Sequence, residues 1–210
     1  DLMARIQDNA NPQLTPTGTD DTAERILDTA ITSLLEFGYR RTTMDTVARR
    51  MGVSRMTVYR YHADKSALFQ AVMMRELQEA SGAIEQHLAS LSIEQNPVVE
   101  GFVLAVTLAR QHRLIRRLLN TEPEWLVLHM TVQGESVLQF SRMAATAFLQ
   151  QPRFKDWLKE QDLALAGELF VRLLMSAILT PGGILASDDE QELRRVATYM
   201  VQPLLRQPQS

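Results

Sequence analysis

From Thr22 onward the apolar positions fall three and four residues apart. Ala23, Ile26, Leu27, Ala30, Ile31, Leu34 and Leu35 form one stripe, the repeat of a helix with one buried face. Gly38 supplies a stop, so Thr22 to Phe37 is predicted helical. Thr43 is placed to cap a short second helix that turns Val47, Ala48 and Met51 inward and ends at Gly52. Ser54 caps a third, from Arg55 to Tyr61. Asp64 caps a longer fourth through Leu68, Phe69, Val72 and Leu77 to Leu88 or beyond.

The pattern stays helical to the end, and no segment alternates apolar and polar residues as a strand would. Asn96-Pro97 sets a capping side chain before a proline at a first helical position. Thr121-Glu122-Pro123-Glu124 has the form of a capping box and predicts one long helix toward Leu149, closed by Pro152. Another helix is predicted from Asp162 to Leu179, before Pro181-Gly182-Gly183. Ser187-Asp188-Asp189-Glu190 predicts a last one, ended by Pro203. The expectation is an all-α chain of about nine helices without internal repeats. Its parts are a flexible tail over residues 1–20, a three-helix head over 21–68, and a helical body over 69–206.

Composition narrows the classes. The 45% hydrophobic content is ordinary for a globular protein, and no apolar run approaches the roughly 20 residues that span a bilayer. The stretch Asp1 to Asp21 is polar, contains Pro12 and Pro16, and does not read as a signal-peptide core. Absent cysteine excludes disulfides and thiolate metal sites and agrees with a cytoplasmic location. The net charge of −3 conceals an asymmetry: residues 39–65 hold seven basic side chains against two acidic ones, while 71–210 hold 13 against 16. A small basic head on an acidic body is the footprint of a phosphate-binding module.

No catalytic constellation emerges. His62, His87, His112 and His129 lie far apart, and there is neither a glycine-rich phosphate loop nor a Gly-x-Ser-x-Gly turn. The chain is read as no enzyme, with no metal and no cofactor. The informative stretch is instead Thr42 to His62. Two short helices joined by Gly52-Val53-Ser54 form a helix-turn-helix. Gly52 makes the turn, Val53 plugs the gap, and Val47, Ala48, Met51 and Val58 pack the pair. In that geometry the start of the second helix meets base edges and flanking groups meet phosphates. Arg55, Met56, Thr57, Tyr59, Arg60 and Tyr61 sit on or near the first turns of the recognition helix. Arginine suits guanine, and threonine or methionine suits a thymine methyl.

Residues 22–69 resemble the TetR family of tetracycline-repressor-like regulators. The likeness runs through Phe37-Gly38-Tyr39, Thr42-Thr43, Val47-Ala48, Gly52-Val53-Ser54, Thr57-Val58-Tyr59-Arg60-Tyr61 and Lys65-Ser66-Ala67-Leu68. It implies DNA contacts at Thr43, Arg55, Thr57, Tyr59, Tyr61 and Lys65, with Thr43 and Lys65 at phosphates. Two residues depart from the pattern: Met56, where a small residue is common, and His62, where phenylalanine is usual. The resemblance further implies a homodimer on double-stranded operator DNA, and a repressor that a small molecule releases. A DNA-binding architectural protein or an activator without an effector is the alternative.

In the body, the helix of residues 162–179 is apolar over more than half its circumference and therefore needs partners on two sides. Leu165, Leu169, Leu173 and Ala177 are the expected dimer face. Phe102, Leu118, Leu119, Trp125, Leu128, His129, Met130, Phe140, Met143 and Phe148 are candidate walls of an effector pocket. So apolar a lining favours a hydrophobic or amphipathic molecule. Arg110, Arg113, Arg116 and Arg117 form a basic cluster, read as a solvated helix face.

Overall fold

The computed structural model describes residues 18–91, 96–154, 163–180, 182 and 189–201. Among these the chain is all-helical, with ten α-helices, one 3-10 turn and no strand. Its contacts divide it into two compact units, Asp1–Glu76 and Leu77–Ser210.

The first unit contains α1 (Gly18–Arg41), α2 (Met44–Met51), α3 (Arg55–Tyr61) and the start of α4 (Lys65–Ala89). Its core is the apolar stripe of α1, with Ile26, Ala30 and Leu34 closed over by Val47 and Ala48 of α2, Val58 of α3, and Leu68, Phe69 and Val72 of α4. Each such valine, leucine or phenylalanine side chain contributes on the order of 1.5–3 kcal/mol by leaving water. Ion pairs tie the helices at the rim: Arg50 of α2 meets Glu36 of α1 bidentately at 2.6 and 2.8 Å, and Arg75 of α4 meets Asp28 at 2.8 Å and Glu24 at 3.3 Å.

One detail of α1 differs from the sequence expectation and one agrees with it. Helical structure starts at Gly18, inside the segment expected to be a tail, whereas Gly38 interrupts the helical backbone as expected and a short further turn follows to Arg41. Gly38 adopts φ 79°, a value that a Cβ opposes, and thereby kinks the helix. Its carbonyl then accepts both the Thr42 amide at 3.2 Å and the buried Thr42 hydroxyl at 2.7 Å, which seals the last turn.

The second unit holds the rest of α4 and then α5 (Pro97–Gln111), α6 (Arg113–Thr121), α7 (Pro123–Met130) and α8 (Glu135–Leu149). A 3-10 turn (Pro152–Phe154), α9 (Leu163–Leu179) and α10 (Glu190–Val201) complete it. Helix α5 is buried on nearly every side over its first ten residues and packs against α9 and α10. Val98, Val99, Phe102, Val103 and Val106 meet Leu149, Phe154, Ala166, Ala177, Leu193 and Ala197. Glu100 of α5 takes Arg194 of α10 at 2.9 and 3.2 Å, an ion pair across that contact. Helices α8 and α9 are in close contact, because Gly167 has no side chain: a Cβ there would stand 2.8 Å from the Thr146 hydroxyl.

The long helix expected from Pro123 to Leu149 is two helices, broken at Thr131–Gly134, which raises the count above the expected nine. Thr131 leaves helical geometry at φ −122°, ψ −91°, while the Gln133 amide returns to the Leu128 carbonyl at 2.9 Å. The break folds the chain so tightly that a Cβ on Gly134 would lie 2.7 Å from the Met130 carbonyl carbon. Nor does a capping box open α7. Glu122 holds the cap position and makes no side-chain capping bond, so proline marks that start. At α10 the cap is Asp189, whose carboxylate accepts the Gln191 amide at 2.8 Å. Residues 1–17, Asp162, Pro181, Gly183, Ser187-Asp188 and Pro203, on which other expectations fell, lie outside the described residues.

Candidate nucleic-acid interface

The turn between α2 and α3 is built from hydrogen bonds that its own sequence dictates. Thr43 stands extended before α2, and its hydroxyl accepts the Thr46 amide at 3.1 Å. At the far end Gly52 is left-handed, φ 70°, ψ 29°. Its amide bonds Arg49 and the next amide, of Val53, bonds Ala48, which satisfies carbonyls left open by the end of α2. Ser54 then caps α3 by accepting the Thr57 amide at 3.1 Å. Asp64 does the same for α4, accepting the Ala67 amide at 2.8 Å.

Helix α3 has one buried side chain, Val58. At about 100° per residue, Met56 and Arg60 therefore point almost directly away from the unit, Thr57 and Tyr59 lie to either side, and Arg55 and Tyr61 fall nearer the core edge. The exposures agree: Met56 is 76% exposed and Tyr59 38%, Arg55 and Arg60 are exposed, and Thr57 and Tyr61 are half-buried. Ser54, Met56, Thr57, Tyr59 and Arg60 line an open depression on this outer face.

Several of the charges are already engaged. Arg55 is paired through Nε with Asp45, in the first turn of α2, and its guanidinium lies 5.9 Å from the Tyr59 ring centre. Arg60 lies over the Tyr61 ring at 5.3 Å. The Lys65 ammonium donates to the Arg40 carbonyl at 3.3 Å and sits 4.1 Å from the Tyr39 ring centre. The Thr57 hydroxyl is 2.9 Å from that of Ser54, and the exposed Thr43 hydroxyl is 2.9 Å from that of Thr46. Arg50 is held by Glu36, whose carboxyl the guanidinium keeps below the usual carboxylate range. The simple count of seven basic groups thus overstates the positive charge this face has to offer.

All eight residues named from the sequence, Thr43, Arg55, Met56, Thr57, Tyr59, Arg60, Tyr61 and Lys65, belong to this one unit. Asp45 is the member that sequence reasoning missed. It had counted only as a negative charge, and no local repeat connects the starts of two different helices. His62 follows α3 as its C-cap, with its amide on the Val58 carbonyl at 3.0 Å. Its ring is half-buried, Nε2 has no hydrogen-bond partner, and burial pushes its pKa below the ordinary histidine value.

In the second unit the residues named as pocket walls stand in different surroundings. Phe102 is core, edge-on to Phe170 at 5.4 Å, and Phe148 packs on that core against Phe154 at 4.5 Å. Leu118 is fully buried, whereas Leu119 and Phe140 are half-buried. Trp125 and His129 stack one helical turn apart at 4.2 Å. Leu128 and Met143 are 40% and 67% exposed and face outward. Of the expected dimer face, Leu165 and Leu169 are exposed, Leu173 is half-buried on the core, and Ala177 lies within the protomer's own core.

Comparison with known proteins agrees with the geometry. Residues 26–72, which take in the capped helix pair and the start of α4, match the model of the bacterial regulatory proteins of the tetR family. The likeness to the TetR family is thus carried by the helix-turn-helix head. Over 72 residues, 32% of the chain, it is 36% identical to an HTH-type transcriptional regulator of Bacillus subtilis, YhgD. That match spans 38% of the relative's own length. Two solved TetR-family structures are similar over nearly the whole chain. The R. erythropolis transcriptional repressor QsdR is 20% identical, with TM-score 0.66 over 91% of this chain and 100% of that one. The repressor AlkX of a Dietzia strain is 22% identical, with TM-score 0.65 over 92% and 99%. At such identities the two likenesses concern the fold. No described helix of this chain is long and apolar enough to cross a membrane.

Proposed function

We propose that this chain is a transcriptional regulator that binds double-stranded operator DNA as a homodimer and is released, as a repressor, by a small molecule held in its second unit. One observation carries the DNA-binding reading. Helix α3 buries Val58 alone and turns Met56, Tyr59 and Arg60 outward from a short, doubly capped helix pair. A seven-residue helix with so little buried surface contributes little to stability, and its outer face has the shape and side chains of a major-groove reader. Arg55, Met56 and Thr57 are the assigned base contacts. Thr43, Tyr59, Arg60, Tyr61 and Lys65 hold the phosphates.

Dimerisation is assigned to the outer face of α9, where Leu165 and Leu169 stand 54% and 47% exposed one helical turn apart. The effector is assigned to the second unit and is hydrophobic or amphipathic, matching the apolar side chains of α5 to α8. Helix α4 supplies the coupling. Lys65–Glu76 belongs to the first unit and Leu77–Ala89 to the second, so a strain placed on its later turns acts on the element that follows α3. A coupling of about 1–3 kcal/mol would change operator affinity roughly 5- to 150-fold.

The test is selection of duplexes from a random library by the purified chain, followed by titration of the selected duplex over a range of salt. The expected result is a twofold-symmetric consensus whose affinity falls steeply with salt as counterions are released. Failure to enrich any sequence, with affinity equal for all duplexes, would refute the reading.

A further inference from the structure

We infer that Met56 reads a thymine, through the C5-methyl group, at one base pair under each bound head. The inference rests on the assignment of α3 as the recognition helix and gives that helix a specific base preference.

Met56 is the most exposed large apolar side chain among the described residues of the first unit, at 76%, and it lies on the side of α3 opposite the buried Val58. It sits in the first turn, next to the Ser54 cap, where a helix entering the major groove comes nearest the base edges. Its polar neighbours each hold a bond within the head. Arg55 is tied back to Asp45 and leans toward Tyr59, and the Thr57 hydroxyl pairs with Ser54. The outward-pointing group of the first turn is therefore a thioether chain with no strong donor or acceptor.

Facing that chain, the major groove offers mostly polar edges: the N7 and O6 acceptors of guanine, the amino group of cytosine, the N7 and amino group of adenine. Covering any of these with a thioether costs a hydrogen bond to water. The thymine methyl is the one apolar substituent in the groove, and removing it and the methionine tip from water together is favourable. Flexible methionine also adjusts to the methyl's position without a fixed rotamer. Ser54, Thr57, Tyr59 and Arg60 line the same depression, and Arg60, one turn on, places a cation beside it for the adjoining backbone.

The test uses the 210-residue chain and its selected duplex, in which each thymine is replaced singly by deoxyuridine. That exchange removes the methyl and leaves base pairing intact. Wild type is expected to lose about three- to tenfold in affinity at one position per head and little elsewhere, as burial of one methyl and its contacts implies. Met56→Ala should bind the thymine duplex more weakly by a similar factor and no longer distinguish it from uracil, whereas Met56→Leu should retain the distinction. Because the residue is exposed, both variants should keep the wild-type circular dichroism spectrum and melting temperature. Equal wild-type affinity for every uracil duplex, or an undiminished thymine preference in Met56→Ala, overturns the inference while DNA binding stands. A wild type that selects no duplex overturns both.

Discussion

Asp45, in the first turn of α2, grips the Nε edge of Arg55, the first residue of α3, across the turn of the helix-turn-helix. Both side chains are half or more exposed, so the pair adds little to stability. Its effect is on orientation. A guanidinium fixed at Nε approaches DNA with its outer nitrogens only and over a restricted range of angles. Asp45→Asn should release it and remove a negative charge near the phosphates. The melting temperature should stay nearly unchanged, random duplex should bind several-fold more tightly, and the ratio of specific to random affinity should fall. Fluorescence anisotropy on the two duplexes measures both affinities and hence their ratio, and thermal melting checks the stability.

Tyr59→Ala and Lys65→Ala should weaken binding by similar factors on every sequence, because phosphate contacts carry no base information. For Lys65 the slope of log affinity against log salt should drop by about one, the mark of one fewer neutralised phosphate. Arg55→Ala and Thr57→Ala should instead alter which duplexes are selected, at about 1–3 kcal/mol per base contact. A salt slope that Lys65→Ala leaves unchanged would remove that residue from the phosphate set.

Leu169→Asp and Ala177→Asp separate two faces of α9. Leu169 is 47% exposed in the protomer, so a charge there should yield a folded monomer under sedimentation. Ala177 is 1% exposed, and a carboxylate in that core should unfold the second unit, because a buried unpaired charge is costly. A dimer that tolerates Leu169→Asp at micromolar concentration would place the interface elsewhere.

Gly134→Ala should destabilise the second unit by about 1–3 kcal/mol. The added Cβ would meet backbone atoms of Met130 at 2.7 and 2.8 Å, and main chain yields less readily than a side-chain tip. Thermal melting checks this, and no loss would show that the break between α7 and α8 shifts freely.

Burial lowers the pKa of His62, so the folded state takes up its proton less readily than the unfolded chain, whose imidazole titrates near 6.5. The stability that follows from a neutral His62 is complete above pH 6.5 and is lost as pH falls from there through the lowered folded value. His62→Phe removes both the titration and the unpartnered Nε2. It should melt higher than wild type, with a margin that widens between pH 7.5 and pH 5.5. Parallel melting curves across that range would remove histidine from the account.

Much of the candidate site was legible because its hydrogen bonds are short in sequence. The caps of Thr43, Ser54 and Asp64, and the left-handed Gly52, each act within about one helical turn, so residue type and spacing suffice to name them. The periodicity of α1 likewise identified Ile26, Ala30 and Leu34, which are buried. The break in 123–149 was less legible. The apolar pattern runs on through Val132, and a single glycine costs a helix only about 1 kcal/mol, too weak a signal to mark an end. At Gly38 the stop was legible, since its positive φ interrupts the helical backbone of α1 there.

What the sequence by itself determined was the capped helices of the first unit and which side chains α3 turns outward, because both rest on interactions between near neighbours. Tertiary structure alone decided that Asp45 reaches Arg55, that Arg50 is consumed by Glu36, and that Ala177 is core while Leu165 and Leu169 are surface. The physical reason is common to all three. An apolar or charged side chain on a helix has the same local pattern whichever neighbour covers it, and only the packing of helices distant in sequence decides which faces leave water and which charges meet.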